Sequence, residues 1–303
     1  MGKDAEHAAL ADWFARNAED PEAWLRVMPN DTSPVLAILE ALRAADPKWR
    51  VDVVDPRGEA GWISGTDFVR ASEGPFNVLL RATGDRLGTN DRKTVAALFA
   101  LRFGWAASVA IAPYLVHGCV PDIRLDNISL KFREDTLYER SALHRPIAVM
   151  LGDGHAVAHP MIETVSDRAA LRRVLRHRLY DQTSPVVHAL HEWSGFSVKG
   201  AWGMITSSWA SHFIAVCDRL GGQVQAMTLL EELCSGDDDV ARMQPRLHPV
   251  TLGTVTHVFQ RRASCCRYYL LPKGSLCTSC PLVSQEERVR RNAEWMQRSG
   301  KPA

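Results

Sequence analysis

The sequence predicts a helix-dominated α+β protein with a small antiparallel sheet and a cysteine-bearing C-terminal segment. Stretches with apolar residues at helical spacing occupy most of the chain, and short apolar runs bounded by Gly, Pro and Asp interrupt them. The chain has 303 residues, of which 46% are hydrophobic and 23% charged. This composition is typical of a well-packed globular protein with one large or two modest domains.

The first third of the chain predicts helices followed by strands. Apolar residues recur at helical spacing over residues 8–15 and 34–44, and Ser33 stands in the N-cap position of the second helix, directly before a proline. Two short apolar runs, residues 51–54 and 76–80, are bounded by Pro, Gly and Asp. They predict two strands, with loops around residues 58–65.

Helical spacing dominates the middle of the chain. A long apolar helix begins near Asp91, and we expect it to be kinked or broken near Gly104 and Pro113. A second helical stretch covers residues 166–233, with breaks expected at residues 184–185, 195–200 and 221–222.

Short β-type runs lie between and after these helices. Residues 123–132, 147–151 and 155–158 predict strands, and the last two are expected to form a hairpin through residues 152–154. Together they predict a small antiparallel sheet. One further strand is predicted at residues 251–259.

The chain closes with a cysteine segment and a charged helix over residues 284–297, where Ser284 and Glu287 have the spacing of a capping box. The patterns divide the chain into an N-terminal helical and β region, a helical body with the small sheet, and a C-terminal region, at residues 1–90, 91–250 and 251–303.

Four cysteines near the C-terminus form the string CC-x10-C-x2-C, at Cys265, Cys266, Cys277 and Cys280. Thiolate is a soft ligand that suits iron-sulfur clusters and zinc. A zinc ribbon usually offers two C-x2-C knuckles, whereas one pair here is vicinal, and adjacent residues rarely chelate one tetrahedral ion. A two-iron cluster needs only two protein sulfurs for each iron. The ligand set therefore favours a 2Fe-2S cluster and leaves zinc open.

The segment 261–282, RRASCCRYYLLPKGSLCTSCPL, resembles the C-terminal signature of the FhuF-type ferric siderophore reductases. The shared features are the cysteine spacing, Arg-Arg before the first pair, Tyr and Leu-Pro in the middle, and Cys-Pro-Leu at the end. A weaker similarity covers residues 113–126, PYLVHGCVPDIRLD, and the general length. The resemblance implies that the four cysteines hold a 2Fe-2S cluster, which makes the C-terminal region an iron-sulfur-binding segment.

The same resemblance implies a reductase that transfers one electron to Fe(III) in a siderophore, often of the hydroxamate type, and releases Fe(II) for iron assimilation. No Walker A loop, no G-x-G-x-x-G after a strand and no G-x-S-x-G elbow occur in the sequence, so a bound nucleotide or flavin is not indicated. We therefore expect an external electron donor, such as a ferredoxin or an NAD(P)H-dependent reductase. We expect no catalytic residue beyond the cluster.

Four cations near the cysteines are candidates for contacting an anionic chelate or an acidic electron donor: Arg261, Arg262, Arg267 and Lys273. Arg267 is the strongest candidate because it directly follows the vicinal pair. The alternative is that these charges are only solvated surface groups. Tyr268, Tyr269 and Leu270 are expected to pack around the cluster and limit its contact with solvent.

Charge and cysteine usage bear on partners and location. The formal net charge is +1, so no global field favours nucleic acid or an anionic membrane. The number of cysteines is odd, Cys119, Cys217 and Cys234 are lone thiols, and the N-terminus shows no export signal, which predicts a cytoplasmic protein. Residues 103–119 are apolar but shorter than the roughly 20 residues that a bilayer requires, so they predict a buried helix and no transmembrane segment.

Two other classes of protein remain open on the residues alone. A zinc-stabilised interaction module would keep the four cysteines, but it would be colourless and would contain no sulfide. An iron-sulfur redox sensor would share the colour but would lack turnover. A sensor of this kind would be expected to carry a DNA-binding helix pair or a pronounced basic bias, and neither is evident in the sequence.

Overall fold

The computed structural model describes residues 33–46, 49–152 and 159–299. In chain order its helices are α1 (Pro34–Ala45), α2 (Gly74–Leu87), α3 (Arg92–Ala107), α4 (Ile111–His117), α5 (Arg168–Ser194), α6 (Val198–Arg219), α7 (Gln225–Leu233), α8 (Asp239–Arg242) and α9 (Gln285–Arg298). Its strands are β1 (Val51–Val53), β2 (Trp62–Ser64), β3 (Cys119–Pro121), β4 (Ile128–Phe132), β5 (Tyr138–Leu143), β6 (Ala148–Leu151), β7 (Ile162–Val165), β8 (Arg246–Leu252) and β9 (Val255–Arg261).

The chain forms two compact units, each assembled from separate stretches of sequence. Among the described residues, the sheet-bearing unit comprises 33–46, 49–69, 106–152, 159–185 and 218–221, and the cysteine-bearing unit comprises 70–105, 186–217 and 222–299. All four cysteines of the C-terminal string lie in the second unit. The division into residues 1–90, 91–250 and 251–303 stays a prediction.

The sheet-bearing unit contains two small sheets. The first has the strand order β1-β5-β4-β2, in which β4 runs antiparallel to β5 and β2 while β1 runs parallel to β5. The second has the order β3-β6-β7, with β3 antiparallel and β7 parallel to β6. Helix α1 buries Val35, Ile38, Leu39 and Leu42, the spacing of one helical face.

The cysteine-bearing unit is built around the tightly packed helices α3 and α6. A Cβ atom placed on Gly104 in α3 would lie 2.8 Å from the Cβ of Ser208 and 2.9 Å from the backbone oxygen of Ile205. Only a glycine permits this approach of the two helices. The Ser208 hydroxyl donates to the carbonyl of Leu101, which joins the same pair of helices.

The remainder of this unit presents the cysteine segment. Strands β8 and β9 form an antiparallel hairpin, with Arg246 opposite Arg261 at its open end. The chain leaves β9 at Arg261 and reaches the cysteines directly, and α9 follows them with its N-cap at Ser284. The cysteine segment therefore lies between a hairpin and a helix.

The structure confirms the predicted fold class, a helix-dominated α+β protein, with sheets that are mixed as well as antiparallel. It also confirms the helix after Ser33, the interrupted helix from residue 92, and the C-terminal helix, whose first turn is capped when Ser284 accepts the backbone N–H of Glu287 at 3.2 Å. The second bond of a capping box, from the backbone N–H of Ser284 to the Glu287 carboxylate, is not formed, because that carboxylate accepts hydrogen bonds from Arg290 and Arg291 instead.

Three element predictions are wrong. Residues 76–80 belong to helix α2, because Phe76, Leu79, Leu80 and Thr83 share one buried face, and a short apolar run does not distinguish a strand from a buried helix. Helix α5 continues through Pro185 without a break. The single strand predicted at 251–259 is the end of β8, the turn of the hairpin and most of β9.

The predicted helix at residues 8–15 and the predicted strand at residues 155–158 lie outside the described residues. Strand β6 corresponds to the strand predicted at residues 147–151, for which the sequence predicts a hairpin with residues 155–158. Among the described residues it pairs with β3 and β7.

One helical run, Arg92–His117, is long and apolar enough to cross a membrane by length and composition, in a search confined to the described residues. Within its most apolar window, 81% is buried inside the protein. A buried core helix of a soluble protein can meet the same criteria of length and composition. This single run is therefore weak evidence for a membrane span.

Candidate metal centre

The four cysteines of the C-terminal string converge in the cysteine-bearing unit. Cys266 and Cys280 are buried, whereas Cys265 and Cys277 are half-buried. The thiol of Cys266 is hydrogen-bonded to that of Cys277, and the thiol of Cys265 to that of Cys280. Each vicinal cysteine therefore faces one cysteine of the C-x2-C pair.

This arrangement in two pairs fits a two-iron cluster, because each iron takes two protein thiolates. Within the described residues, no group of three or more His, Cys, Asp or Glu side chains is placed to hold a single metal ion. The residues present therefore offer four thiols as two facing pairs, which is the donor set of a 2Fe-2S centre.

The backbone N–H of Arg267 donates a hydrogen bond to the sulfur of Cys265, two residues earlier, at 3.4 Å. The backbone amides of Tyr268, Ser279 and Leu282, each two residues after a cysteine, act to lower the pKa of Cys266, Cys277 and Cys280. Hydrogen bonds to cluster sulfurs stabilise negative charge on them, and they are one of the means by which a protein sets the reduction potential.

The backbone of the cysteine segment has unusual geometry at two residues, and the sequence alone does not reveal it. Arg267 lies in the left-handed region with φ 59°, which is uncommon for a residue with a side chain. Gly274, in the ten-residue connection, passes so close to the carbonyl of Tyr268 that a Cβ atom would lie 1.8 Å from its oxygen. These two positions define how the connection folds back between the cysteine pairs.

Hydrogen bonding and charge polarise the thiols. The hydrogen bond from Cys266 is the main cause that lowers the pKa of Cys277 to about 5, and the positive charge of Arg262 and the hydroxyl and amide of Ser279 contribute in the same direction. The same hydrogen bond, followed by burial, raises the pKa of Cys266. Burial raises the pKa of Cys280. The site therefore already favours one thiolate before any metal is considered.

The four candidate cations have different environments. Arg261 and Arg262 line one cavity, with Arg261 donating to the carbonyl of Pro281 at 3.3 Å. Arg267 lies elsewhere: its guanidinium donates to the Asp91 carboxylate at 2.9 Å and to the Thr94 hydroxyl at 3.2 Å. Lys273 is exposed. Their role as a substrate or donor patch stays a prediction.

The residues expected to shield the cluster are largely open to solvent. Tyr268 is 39% exposed, Tyr269 41% and Leu270 50%. The three residues form a short 3₁₀ turn, and their packing against the cluster stays a prediction. Leu276 and Leu282 are exposed as well, so the segment carries an apolar surface next to the cysteines.

Arg288 is a functional candidate that the sequence reasoning missed. Arg288 is 1% exposed, and its guanidinium donates to the carbonyl of Cys280 at 2.7 Å, to that of Val283 at 2.6 Å and to the side chain of Gln285 at 3.0 Å. It thereby fixes the backbone that carries a cysteine. Helical spacing could have revealed it, because Arg288 lies on the same face of α9 as the buried Met296.

Comparison with known proteins bears directly on this segment. Residues 262–282 match the family model described as FhuF 2Fe-2S C-terminal domain. No curated protein matches the chain. The matched residues include all four cysteines, so the resemblance predicted from the sequence is confirmed over this segment. Residues 262–282 are thus similar to the FhuF 2Fe-2S C-terminal domain, and the cofactor that this domain indicates is a 2Fe-2S cluster.

Proposed function

We propose that the protein is a ferric siderophore reductase of the cytoplasm, which transfers one electron to siderophore-bound Fe(III) and releases Fe(II) for iron assimilation. The observation that carries this proposal is the match of residues 262–282 to the FhuF 2Fe-2S domain, together with four thiols arranged as two facing pairs. The match to an iron-sulfur domain favours this function over a zinc-stabilised module.

The physical basis of release is the change in the iron ion. Ferric iron is a hard ion that binds the oxygen ligands of a siderophore tightly, whereas ferrous iron binds them weakly and exchanges them quickly. When bound, the cluster supplies the single electron for this change. The residues of the chain hold the thiolates, donate hydrogen bonds to the sulfurs, and leave Cys265 and Cys277 half-buried, near the surface that a chelate must reach.

The proposed reaction needs one electron to be returned for each ferric ion reduced. We propose that an external one-electron carrier of the ferredoxin type, itself recharged by an NAD(P)H-dependent reductase, supplies it. The exposed apolar side chains of Tyr268, Tyr269, Leu270, Leu276 and Leu282 support a protein partner at this surface. Lys273, exposed on the same segment, suits an acidic partner.

The proposal is tested by mixing the chemically reduced protein with a panel of ferric chelates under anaerobic conditions. Cluster colour is followed while Fe(II) is trapped with a chromogenic chelator. We expect Fe(II) to appear as the reduced cluster is reoxidised, one Fe(II) for each electron lost. Iron and sulfide analysis of the same sample separates a cluster from zinc, and the absence of turnover with every chelate would favour a redox sensor instead.

Cysteine variants provide the controls for this experiment. Cys266→Ser and Cys277→Ser should abolish the cluster colour and the reduction together, because each removes one thiolate of a facing pair. Cys119→Ala is the matched control, since Cys119 lies fully buried in strand β3 and should spare both. Alanine is preferred there because serine would bury a hydroxyl group. Turnover by a colourless variant would contradict the proposed mechanism.

A further inference from the structure

A cavity of about 230 Å³, open to solvent, lies beside the cysteine segment and is lined by four arginines. Arg242 ends helix α8, Arg246 begins strand β8, and Arg261 and Arg262 lie at and after the end of β9. Because Arg246 is paired with Arg261 across the hairpin, the register of the two strands brings the arginines together. Gln244 and Pro281 contribute to the same wall.

Little negative charge compensates these guanidinium groups. The sequence from residue 240 to residue 285 contains six Arg and Lys residues and no Asp or Glu, in a chain whose net charge is only +1. Arg242 approaches Asp239 at 3.9 Å, which is a long and exposed contact. The Nε atom of Arg262 is buried and has no hydrogen-bond partner among the described residues. Four cations that line one cavity favour an anion as its occupant.

The cavity shares its wall with the cysteine site. Pro281, which lines it, directly follows Cys280 in the chain, and the backbone N–H of Arg262 donates to the carbonyl of Ser279 at 2.9 Å. The guanidinium of Arg262 also acts electrostatically on the sulfurs of Cys266 and Cys277. An anion bound in this cavity would therefore be adjacent to the cysteine segment.

We propose that the cavity binds the carboxylate groups of the ferric chelate, so that the substrate is a carboxylate-bearing chelate whose iron core is held next to the cysteines. This inference rests on the proposed reductase function and adds the substrate class to it. The guanidinium fork matches a carboxylate with two parallel hydrogen bonds, which fixes orientation as well as affinity.

The size of the cavity supports a peripheral group of a small chelate as the occupant. Pockets that enclose a whole drug-sized ligand measure about 300–1,000 Å³, and the cavity is smaller, at about 230 Å³. It can accept carboxylate arms while the bulk of the complex stays outside, which leaves the iron at the rim. Four arginines exceed what one carboxylate requires, so more than one arm can be bound.

The test uses three Ga(III) trihydroxamate chelates that share one metal core and differ in a pendant group: an ammonium, a neutral acetamide or a succinyl carboxylate. Ga(III) has the charge and ligand preference of Fe(III) but does not accept an electron here, so binding is measured by calorimetry without reduction. The cluster-loaded full-length protein should bind the carboxylate form about tenfold more tightly than the acetamide form, and the ammonium form most weakly.

Arg242 and Arg246 are exposed, so the double variant Arg242→Gln/Arg246→Gln should fold normally. It should lose the preference for the carboxylate form and keep the affinity for the acetamide form. Arg81→Gln removes an exposed arginine of the same unit that does not line the cavity, and it should behave as wild type. Equal binding of the carboxylate and acetamide forms by wild type would overturn the proposal, as would a preference that persists in the double variant.

Reduction of the corresponding Fe(III) chelates is followed separately, which distinguishes the two proposals. If none of the ferric chelates is reduced, the reductase function is wrong and the Ga(III) data still decide whether the cavity binds carboxylates. If all three are reduced at equal rates and bound equally, the carboxylate site is wrong and the reductase function stands.

Discussion

Arg267 shows how a single residue can organise an iron-sulfur site without contributing a ligand. Its left-handed backbone directs its N–H toward the sulfur of Cys265, and its guanidinium binds Asp91 and Thr94 at the start of helix α3. Burial acts to raise the pKa of Asp91, but the hydrogen bonds from Thr94 and Arg267 outweigh it and lower that pKa. Asp91 is therefore ionised near neutral pH, and its contact with the Arg267 guanidinium is an ion pair that anchors the cysteine segment.

Among the cysteines, Cys277 should be the reactive thiol of the metal-free protein. Its pKa is lowered to about 5, so it should be a thiolate at neutral pH, and alkylation by iodoacetamide should be near its maximal rate already at about pH 6. Cys119 is the internal control, because burial raises its pKa to about 12 and it should remain unlabelled until the protein unfolds. Labelling is read by peptide mass spectrometry.

A Cys277 labelling rate that rises mainly between about pH 7 and pH 9 would contradict this prediction, since that is the behaviour of an ordinary thiol with a pKa of about 8.5. Such a result would show that the hydrogen bond from Cys266 does not lower the pKa of Cys277 in solution.

At the scale of elements, helix α9 fixes the backbone around the C-x2-C pair, Cys277 and Cys280. Ser284 caps its first turn, and Arg288 reaches back from the second turn to the carbonyls of Cys280 and Val283. The helix is thus joined to the cysteine loop by buried hydrogen bonds and not by apolar packing alone. Arg291 adds a bond to the carbonyl of Leu276 at 3.0 Å.

Replacing Arg288 with methionine should lower the free energy of unfolding by about 2–4 kcal/mol, because two buried carbonyls lose a charged donor. The cluster should also be lost faster to an iron chelator, as followed by visible absorbance. Arg290→Gln is the matched control on the same helix, since Arg290 forms only exposed ion pairs with Glu287 and Glu294, and it should cost less than about 1 kcal/mol. Equal effects of the two variants would show that Arg288 does not position the loop.

At the scale of the cysteine-bearing unit, the C-terminal segment is attached to three separate helices. Arg267 binds the start of α3, Arg288 belongs to α9, and the hydroxyl of Ser264 donates to the carbonyl of Gly200 in α6 at 2.7 Å. Gly203 in α6 leaves room for this last contact. Residues from the first and last thirds of the chain must therefore be assembled before the cysteines are held in place.

Gly203→Ala tests this attachment. The added Cβ atom would lie 2.9 Å from the Cβ of Ser264 and 2.9 Å from the end of Met243, so the segment must move away from α6. The cost of overpacking, about 1–3 kcal/mol, exceeds the roughly 1 kcal/mol that alanine gains over glycine in a helix. We expect a lower melting temperature and less cluster per protein. The double variant Gly203→Ala/Ser264→Gly should recover part of the cluster content, and an unchanged single variant would contradict the prediction.

Secondary structure could be predicted where a long helical pattern had clear ends. The helix after Ser33 and the helix after Ser284 were predicted because each begins at a residue that suits the N-cap. Short apolar runs were less informative: residues 76–80 are compatible with a strand or a buried helix, and only packing decides between them. Pro185 shows the converse, since the surrounding helix continues through a residue that usually ends one.

The sequence by itself determined the cofactor of the C-terminal domain, because the four thiolates lie close together in the chain and their spacing alone specifies the ligand set. Tertiary structure decided everything that acts on those thiolates from a distance: the anchor at Asp91, the buried Arg288 and the cavity formed by Arg242, Arg246, Arg261 and Arg262. The physical reason is that these contacts depend on strand register, helix packing and the burial of charge. A local pattern can place Arg288 on the buried face of its helix, but it does not specify which groups these side chains contact.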